Sequence, residues 1–169
     1  RMRRIEETTR GAVRTRFSTE LDVARACAGA DLVIGAALVP GTRTPRLVTR
    51  RTVESMRPGS VLVDVAIDQG GCFEDSRPTT HSAPTFEVDG RLFYCVANMP
   101  GAVPHTSTYA LTNATLPYVS ALADAGWHGA CRARRDLARG LSTHAGFLYA
   151  AGVGESLGLP IADITALVD

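Results

Sequence analysis

The sequence predicts a protein of the α/β class, in which parallel strands alternate with helices. The strongest signal is residues 61–67, an almost unbroken apolar run rich in β-branched side chains, flanked by Pro58-Gly59 and Gly70-Gly71. Such a run is typical of a strand that is buried on both faces of a parallel sheet. Shorter apolar runs and helical patterns alternate ahead of it, at the spacing of βαβ units.

The N-terminal elements follow in order. Residues 1–7 look like the surface of a helix already under way, so we expect the chain to be a piece of a longer protein. Residues 12–17 alternate apolar and arginine side chains, which predicts a half-buried strand near a sheet edge. Ser18 or Thr19 caps a helix over residues 20–28, and residues 31–36 form the next strand.

A helix over residues 48–56 leads into the central strand, which completes a β-α-β-α-β order, the pattern of half a Rossmann fold. Residues 85–88 and 92–96 flank Asp89-Gly90, a pair that favours a type I′ hairpin turn. The fold class is therefore α/β, with a partial Rossmann-like parallel sheet.

The C-terminal part is predicted to be helical. Residues 106–125 have one apolar face and end at Gly126, while Pro117 predicts a kink or a break within them. A basic helix around residues 132–139, an apolar stretch at 147–149 and a helix through Leu157 follow. Gly152, Gly154 and Gly158 have the spacing G-x-G-x-x-x-G, which is not that of a dinucleotide fingerprint, so we interpret their segment as a helix that a glycine ends.

Composition limits the class of partner and the compartment. The 169 residues are 45% hydrophobic and carry a formal charge of +1, which favours a small-molecule partner over nucleic acid or a membrane surface. All basic side chains are arginines, so this chain offers no lysine for a Schiff base. The four cysteines are scattered singly, and no apolar run reaches the length of a membrane span, which predicts a cytoplasmic protein without a zinc or redox motif.

Asp68 is the first candidate for catalysis. It follows the central strand, and ligands of doubly wound sheets bind outside the carboxyl ends of the strands. Asn98 ends a second strand in the same way, while Arg77 in the following loop is a candidate for binding a phosphate or carboxylate. Asp64 lies inside the apolar run, where a buried acid needs hydrogen-bond partners, and we give it a structural role. The isolated histidines form no triad.

Six motifs along the chain together resemble the L-alanine dehydrogenase family. They are DLVIG at 31–35, VDVAIDQGGCFE at 63–74, SRPTT at 76–80, YCVANMP at 94–100, TSTYALTNAT at 106–115 and GLSTH at 140–144. The resemblance covers essentially the whole chain.

This resemblance implies a two-domain, NAD-dependent enzyme that converts L-alanine reversibly to pyruvate and ammonium, usually as a homohexamer. Residues 1–100 would be part of the NAD-binding domain, and residues 101–169 would be a crossing helix and the C-terminal lobe of the substrate domain. Asp68 would be the catalytic acid beside the nicotinamide. The implied cofactor-binding residues are Arg1 and Ser18 at the adenosine end, Ala37 and Leu38 at the adenine-ribose side, Val65, Ala66, Ile67, Asp68, Val96, Ala97, Asn98 and Met99 around the nicotinamide, and Arg77 along the same cleft.

The departures from the family are equally informative. The family's phosphate loop, its ribose-binding acid, its catalytic Lys and His and its carboxylate-binding Arg precede the first residue of this sequence, so we expect the chain to be inactive alone. Ala121 and Ala125 occupy the positions of the Glu and His that bind a metal in some members, so we predict no metal site.

Two alternatives remain open. One is a nicotinamide-binding subunit of a transhydrogenase-like protein, which has the same build. The other is a non-catalytic interaction or assembly module made by truncation, with an exposed sheet edge that favours oligomers.

Overall fold

The computed structural model describes residues 2–168. This part of the chain forms two compact units. The first contains residues 2–37 and 44–97, and the second contains residues 38–43 and 98–168.

The first unit is built on a four-stranded sheet. Its strands are β1 (Leu32–Gly35), β2 (Val61–Asp64), β3 (Thr85–Val88) and β4 (Arg91–Tyr94), in the order β1-β2-β4-β3. β1, β2 and β4 are parallel, and β3 is antiparallel to β4. Gly35 pairs with Asp64 and Val63 pairs with Tyr94, so the three parallel strands end at one edge. The predicted α/β class with a parallel sheet is confirmed.

The helices of this unit are α1 (Met2–Thr8), α2 (Glu20–Ala28) and α3 (Arg50–Ser55). Threonine side chains cap the N-termini of α2 and α3. The side chain of Thr19 accepts a hydrogen bond from the Asp22 amide at 3.1 Å, and that of Thr49 accepts one from the Thr52 amide at 3.3 Å. Both threonines therefore satisfy amides that the first helical turn leaves without an intrahelical partner.

The β3–β4 hairpin also has its predicted turn. Asp89 and Gly90 have φ values of 49° and 78°, the left-handed conformations that a type I′ turn needs at both central residues.

The predicted strand over residues 12–17 is wrong. This segment has no regular secondary structure, and the side chains of Val13 and Phe17 are 45% and 74% exposed. An alternating pattern gives a strand only where a neighbouring strand can accept its hydrogen bonds. No described strand is paired with this segment.

The core of the first unit is formed by buried side chains of the sheet, of α2 and α3, and of the segments that precede α3 and follow β2. Leu62, Val53, Met56, Phe73 and Phe93 are at most 2% exposed. The ring of Phe93 packs edge-on to that of Phe73, with a centroid distance of 6.1 Å, and stacks on that of Phe86 at 5.1 Å. Phe93 therefore connects the sheet to the loop that follows β2.

The second unit is mainly helical. Its elements are α4 (Pro104–Ala133), α5 (Arg135–Gly140), β5 (Thr143–His144), β6 (Phe147–Leu148), α6 (Ala151–Leu157) and α7 (Thr165–Val168). β5 and β6 form a short antiparallel pair. α6 ends at Gly158, which has a left-handed φ of 65°, so the predicted helix with a glycine stop is confirmed.

α4 breaks at Gly126 and not at Pro117. Gly126 has φ 65° and ψ 168°, a conformation that glycine alone adopts readily, whereas Pro117 lies inside the helix. Proline removes the hydrogen bond to the carbonyl of Asn113, and both residues are exposed, so water can satisfy that carbonyl. Within residues 2–168, no helix combines the length and apolar character that crossing a bilayer requires.

We expect Phe93→Leu to lower the free energy of unfolding by about 1–2 kcal/mol, because the smaller side chain loses both ring contacts and leaves a cavity. Urea unfolding followed by circular dichroism measures this difference. The matched control is Phe17→Leu in the same unit, which should change the stability by less than about 0.5 kcal/mol. Equal effects of the two substitutions would contradict the packing described above.

Candidate active site

The loop after β2 is organised around the carboxylate of Asp64. This side chain is 0% exposed. Its Oδ1 accepts a hydrogen bond from the Ala66 amide at 3.1 Å, and its Oδ2 accepts hydrogen bonds from the Cys72 amide at 2.8 Å and the Ser76 hydroxyl at 2.5 Å. The Phe73 amide also donates to Oδ2, at 3.4 Å. The prediction that Asp64 is a hydrogen-bonded structural acid is confirmed.

Glycines allow the loop to pass this close to the carboxylate. Gly70 and Gly71 have φ values of 101° and 81°, and a methyl group on Gly71 would lie 2.7 Å from Oδ2 of Asp64. A methyl group on Gly35 would similarly lie 2.8 Å from the Cβ atom of Cys72. A side chain at Gly71 would therefore be strained by the backbone conformation and would also collide with the acid that holds the loop.

Asp68 lies on a 3₁₀ turn, Ile67–Gln69, between the two ends of this loop. Ile67 points into the core and is 4% exposed, while Asp68 is exposed. Within the described residues, the carboxyl group of Asp68 has no hydrogen bond or ion pair. The fold therefore presents this acid to solvent on a turn whose backbone is held by buried contacts.

The first unit brings several of the predicted residues to the same edge of the sheet. Ala37 follows β1, Val65 and Ala66 follow β2, and Val96 and Ala97 follow β4. The Val65 amide donates to the Gly35 carbonyl at 2.8 Å, which extends the β1–β2 ladder to this edge.

Two of the predicted residues have side chains in the core. Val96 is 0% exposed and Ile67 is 4% exposed, whereas Val65 is 51% exposed. Val96 is also tied to Thr79 by a parallel bridge. A cofactor at this edge would therefore meet the side chain of Val65, but only the backbone of Ile67 and Val96.

The other predicted cofactor-binding residues do not directly follow β1, β2 or β4 in the first unit. The guanidinium of Arg77 lies over the Phe86 ring, 4.1 Å from its centroid, so its present contact is a cation–π interaction. Ser18 is exposed just ahead of α2. Leu38, Asn98 and Met99 belong to the second unit, where Asn98 has a left-handed φ of 55°. Arg1 lies outside the described residues.

The second unit has its own cavity of about 650 Å³ near the start of α4. Asn98, Pro104, Ser107 and Leu111 are among the residues that line it. The lining is mainly apolar, and the Ser107 hydroxyl donates to the Pro100 carbonyl at 2.9 Å.

The cysteines beside the loop are not suited to nucleophilic catalysis. Burial raises the pKa values of the Cys72 and Cys95 thiols above the ordinary value. Because the thiolate is the reactive form, a raised pKa makes both groups less reactive at neutral pH. Among residues 2–168, no group of three or more His, Cys, Asp or Glu side chains is arranged to hold a metal ion.

Ser76 and Gly71 were not identified from the sequence as supports of Asp64. Ser76 is twelve residues from Asp64 and lies in an irregular loop, where neither helical nor strand periodicity relates the two side chains. The Gly70-Gly71 pair was the available signal, because a glycine pair after a buried strand often marks a close approach of the backbone.

Parallel strands that end at one edge and the helices that connect them define the first unit as a Rossmann-like α/β domain. Residues 1–150 match the family described as Alanine dehydrogenase/PNT, C-terminal domain, and the chain belongs to this family.

Individual relatives agree with this assignment. The chain is 59% identical over 162 residues to an alanine dehydrogenase of Mycolicibacterium smegmatis, a match that covers 96% of this chain and 44% of the relative. It is 52% identical to an alanine dehydrogenase of Halomonas elongata, covering 99% and 45%. The chain thus spans a little under half the length of the curated relatives it matches.

Solved structures show the same relationship. A structure named L-alanine dehydrogenase superposes with a TM-score of 0.78 at 47% identity, covering 93% of this chain and 43% of that one. A transhydrogenase structure from Sinorhizobium meliloti has a TM-score of 0.54 at 33% identity, covering 62% and 30%.

We expect Asp64→Asn to lower the free energy of unfolding by about 2–4 kcal/mol, because the amide's NH₂ group must face at least one N–H donor and the charge-assisted bonds are lost. The control is Asp68→Asn, the same chemical change four residues away at an exposed position without a partner. It should alter stability by less than about 0.5 kcal/mol. Urea unfolding compares the two variants, and similar values for both would contradict the structural role of Asp64.

Proposed function

We propose that this chain is the C-terminal part of an NAD-dependent alanine dehydrogenase, which interconverts L-alanine with pyruvate and ammonium. The observation that carries the proposal is the exposed carboxyl group of Asp68, held at the carboxyl edge of the parallel sheet by the Asp64-centred loop. The high identity to alanine dehydrogenases over almost the whole chain supports the same activity.

The residues at this edge fit a nicotinamide cofactor. Val65 exposes an apolar side chain after β2, and the small, half-buried residue Ala66 follows it. Together they can make an apolar surface on which a nicotinamide ring would lie, next to the Asp68 carboxyl group. When bound, NAD would accept the hydride from the α-carbon of L-alanine.

The role of Asp68 in this proposal is proton transfer. Oxidation of the amine gives an imine, and attack of water on that imine requires protons to be moved to and from oxygen and nitrogen. A carboxyl group within reach of both atoms can exchange those protons. The rigid loop would keep the carboxyl group in position, while its exposure leaves it without a competing partner in the described chain.

The remaining parts of the proposal concern the complete protein. We propose that it binds NAD, uses L-alanine, pyruvate and ammonium as small-molecule substrates, and works in the cytoplasm as a homo-oligomer. The two-domain division at about residue 100 belongs to the same proposal. A transhydrogenase subunit has weaker support, because that likeness covers less of the chain at lower identity and TM-score.

The direct test joins this chain to the N-terminal part of the Mycolicibacterium smegmatis relative and follows NADH formation by absorbance with L-alanine and NAD. We expect activity from the fusion and negligible turnover from the 169-residue chain alone. A folded but silent fusion would argue against the proposal and for a non-catalytic module.

In the same fusion, we expect Asp68→Asn to lower turnover at least tenfold, which corresponds to about 1.4 kcal/mol of transition-state stabilisation. Binding of NADH, followed by its fluorescence, should survive. The matched control is Asp31→Asn, which makes the same change at an exposed position just ahead of β1 and should leave turnover unaltered. Unchanged turnover in Asp68→Asn would leave this residue without a catalytic role.

A further inference from the structure

The turn that carries Asp68, residues 67–71, is held only indirectly by the Asp64 carboxylate. That carboxylate accepts hydrogen bonds from the amides of Ala66 and Cys72, which lie on either side of the turn. The amides of the last three residues of the turn donate to the carbonyls of Ala66 and of the first residue of the turn, at 2.9, 3.0 and 3.1 Å. These bonds fix the shape of the turn, whereas its position in the unit needs contacts from outside.

One such contact comes from the segment ahead of α3. The Thr44 amide donates to the Gln69 carbonyl at 2.9 Å, and Gln69 is the residue directly after Asp68. Within residues 2–168, no other hydrogen bond connects the turn to a residue outside the loop that follows β2. Ile67, directly before Asp68, has its side chain in the core. A polar contact and an apolar contact therefore hold the turn on the two sides of the acid.

The segment of residues 44–48 is itself fixed along the same loop. Val48 is 3% exposed and forms a parallel bridge with Phe73. The Leu47 amide donates to the Cys72 carbonyl at 2.7 Å. The segment is thus held to the loop at the end away from residue 44, which gives the hydrogen bond to the turn a stable support.

The amide of Thr44, rather than its side chain, makes the contact with the turn. The side chain is 6% exposed, but its hydroxyl group has no hydrogen-bond partner among the described residues. A buried hydroxyl without a partner adds no hydrogen bond to the folded state. Pro45 restricts the backbone of Thr44 to extended conformations, which limits the freedom of the donor.

We propose that Thr44 is a positioning residue for Asp68, because its amide holds the Gln69 carbonyl directly beyond the acid. The inference rests on the proposed function, in which Asp68 exchanges protons with the substrate. Thr44 takes no part in the proton transfer itself. It limits the positions that the exposed carboxyl group can occupy, and proton transfer depends on that position.

The test uses the fusion described above with Thr44→Pro, which removes the amide donor at a position whose φ is not left-handed. We expect turnover to fall about three- to tenfold, with the Kd of NADH changed by less than about twofold. The matched control is Arg46→Pro, two residues away, where the amide donates no hydrogen bond within the described chain. This control should leave turnover unaltered.

A second measurement separates positioning of the acid from a general loss of structure. In a fusion that already carries Asp68→Asn, Thr44→Pro should lower the residual turnover by less than about twofold, because the acid that it positions is gone. An equal fold loss in the two backgrounds would overturn the inference. So would unaltered turnover in Thr44→Pro alone.

Hydrogen exchange of the amides at residues 69–71 tests the contact without reference to activity. Exchange should be at least about fivefold faster in Thr44→Pro than in the unmutated fusion, whereas Thr44→Ala, which keeps the amide donor, should match the unmutated fusion. Pro45→Gly frees the backbone of the donor and should speed exchange about two- to threefold, so it decides the question if Thr44→Pro fails to fold.

Unaltered exchange in a folded Thr44→Pro variant would overturn the inference, and so would equally fast exchange in Thr44→Ala. An unmutated fusion that forms no NADH from L-alanine would instead count against the proposed function. The exchange rates would still decide whether the Thr44 amide holds the turn.

Discussion

The buried carboxylate of Asp64 is the interaction on which the candidate site depends. A carboxylate removed from water is costly unless hydrogen bonds replace its hydration, and here three backbone amides and one hydroxyl provide them. All four donors lie in the loop after β2. The requirement to satisfy one buried acid therefore specifies the path of about ten residues, and Asp68 lies on that path.

The same loop is fixed to the core by packing as well as by hydrogen bonds. Phe73, which follows the amide of Cys72, contacts Phe93 of β4 edge-on, and Phe93 stacks on Phe86 of β3. The close approach of Gly35 to Cys72 ties the end of β1 to the loop. Polar and apolar contacts thus converge on one segment, and the exposed acid is carried by a rigid support rather than by a free loop.

Local signals predicted much of this fold. The apolar run of β2, the threonine caps of α2 and α3 and the Asp89-Gly90 turn each act within a few residues, so the sequence pattern is sufficient to place them. The alternating pattern at 12–17 failed because a strand depends on a partner that a pattern does not contain. In α4, the interruption predicted at Gly126 is confirmed, whereas the backbone stays helical at Pro117, because the exposed position lets the helix tolerate that proline.

Part of the candidate site was also predictable from local sequence signals, and part of it was not. The structural role of Asp64 was predicted because it lies inside the apolar run that contains β2, and the candidacy of Asp68 was predicted because it comes directly after that run. The contribution of Ser76, and the contact between Thr44 and Gln69, join residues that are far apart in the sequence and have no periodic relationship. Ile67 and Val96 were predicted to lie inside strands, but β2 ends at Asp64 and β4 at Tyr94. Both side chains are buried by the turns that follow these strands, a tertiary arrangement that the strand pattern does not contain.

The most direct measurement of this account is the hydrogen-exchange rate of the Cys72 amide in the 169-residue chain. That amide donates to the buried Oδ2 of Asp64 at 2.8 Å, outside any helix or strand. If the Asp64 carboxylate holds the loop, the Cys72 amide should exchange as slowly as the amide of Phe93, a residue of the core strand β4. Exchange as fast as that of the amides of Arg14 and Arg16, which are exposed residues outside any helix or strand, would show that the loop opens freely and would contradict the central role of Asp64.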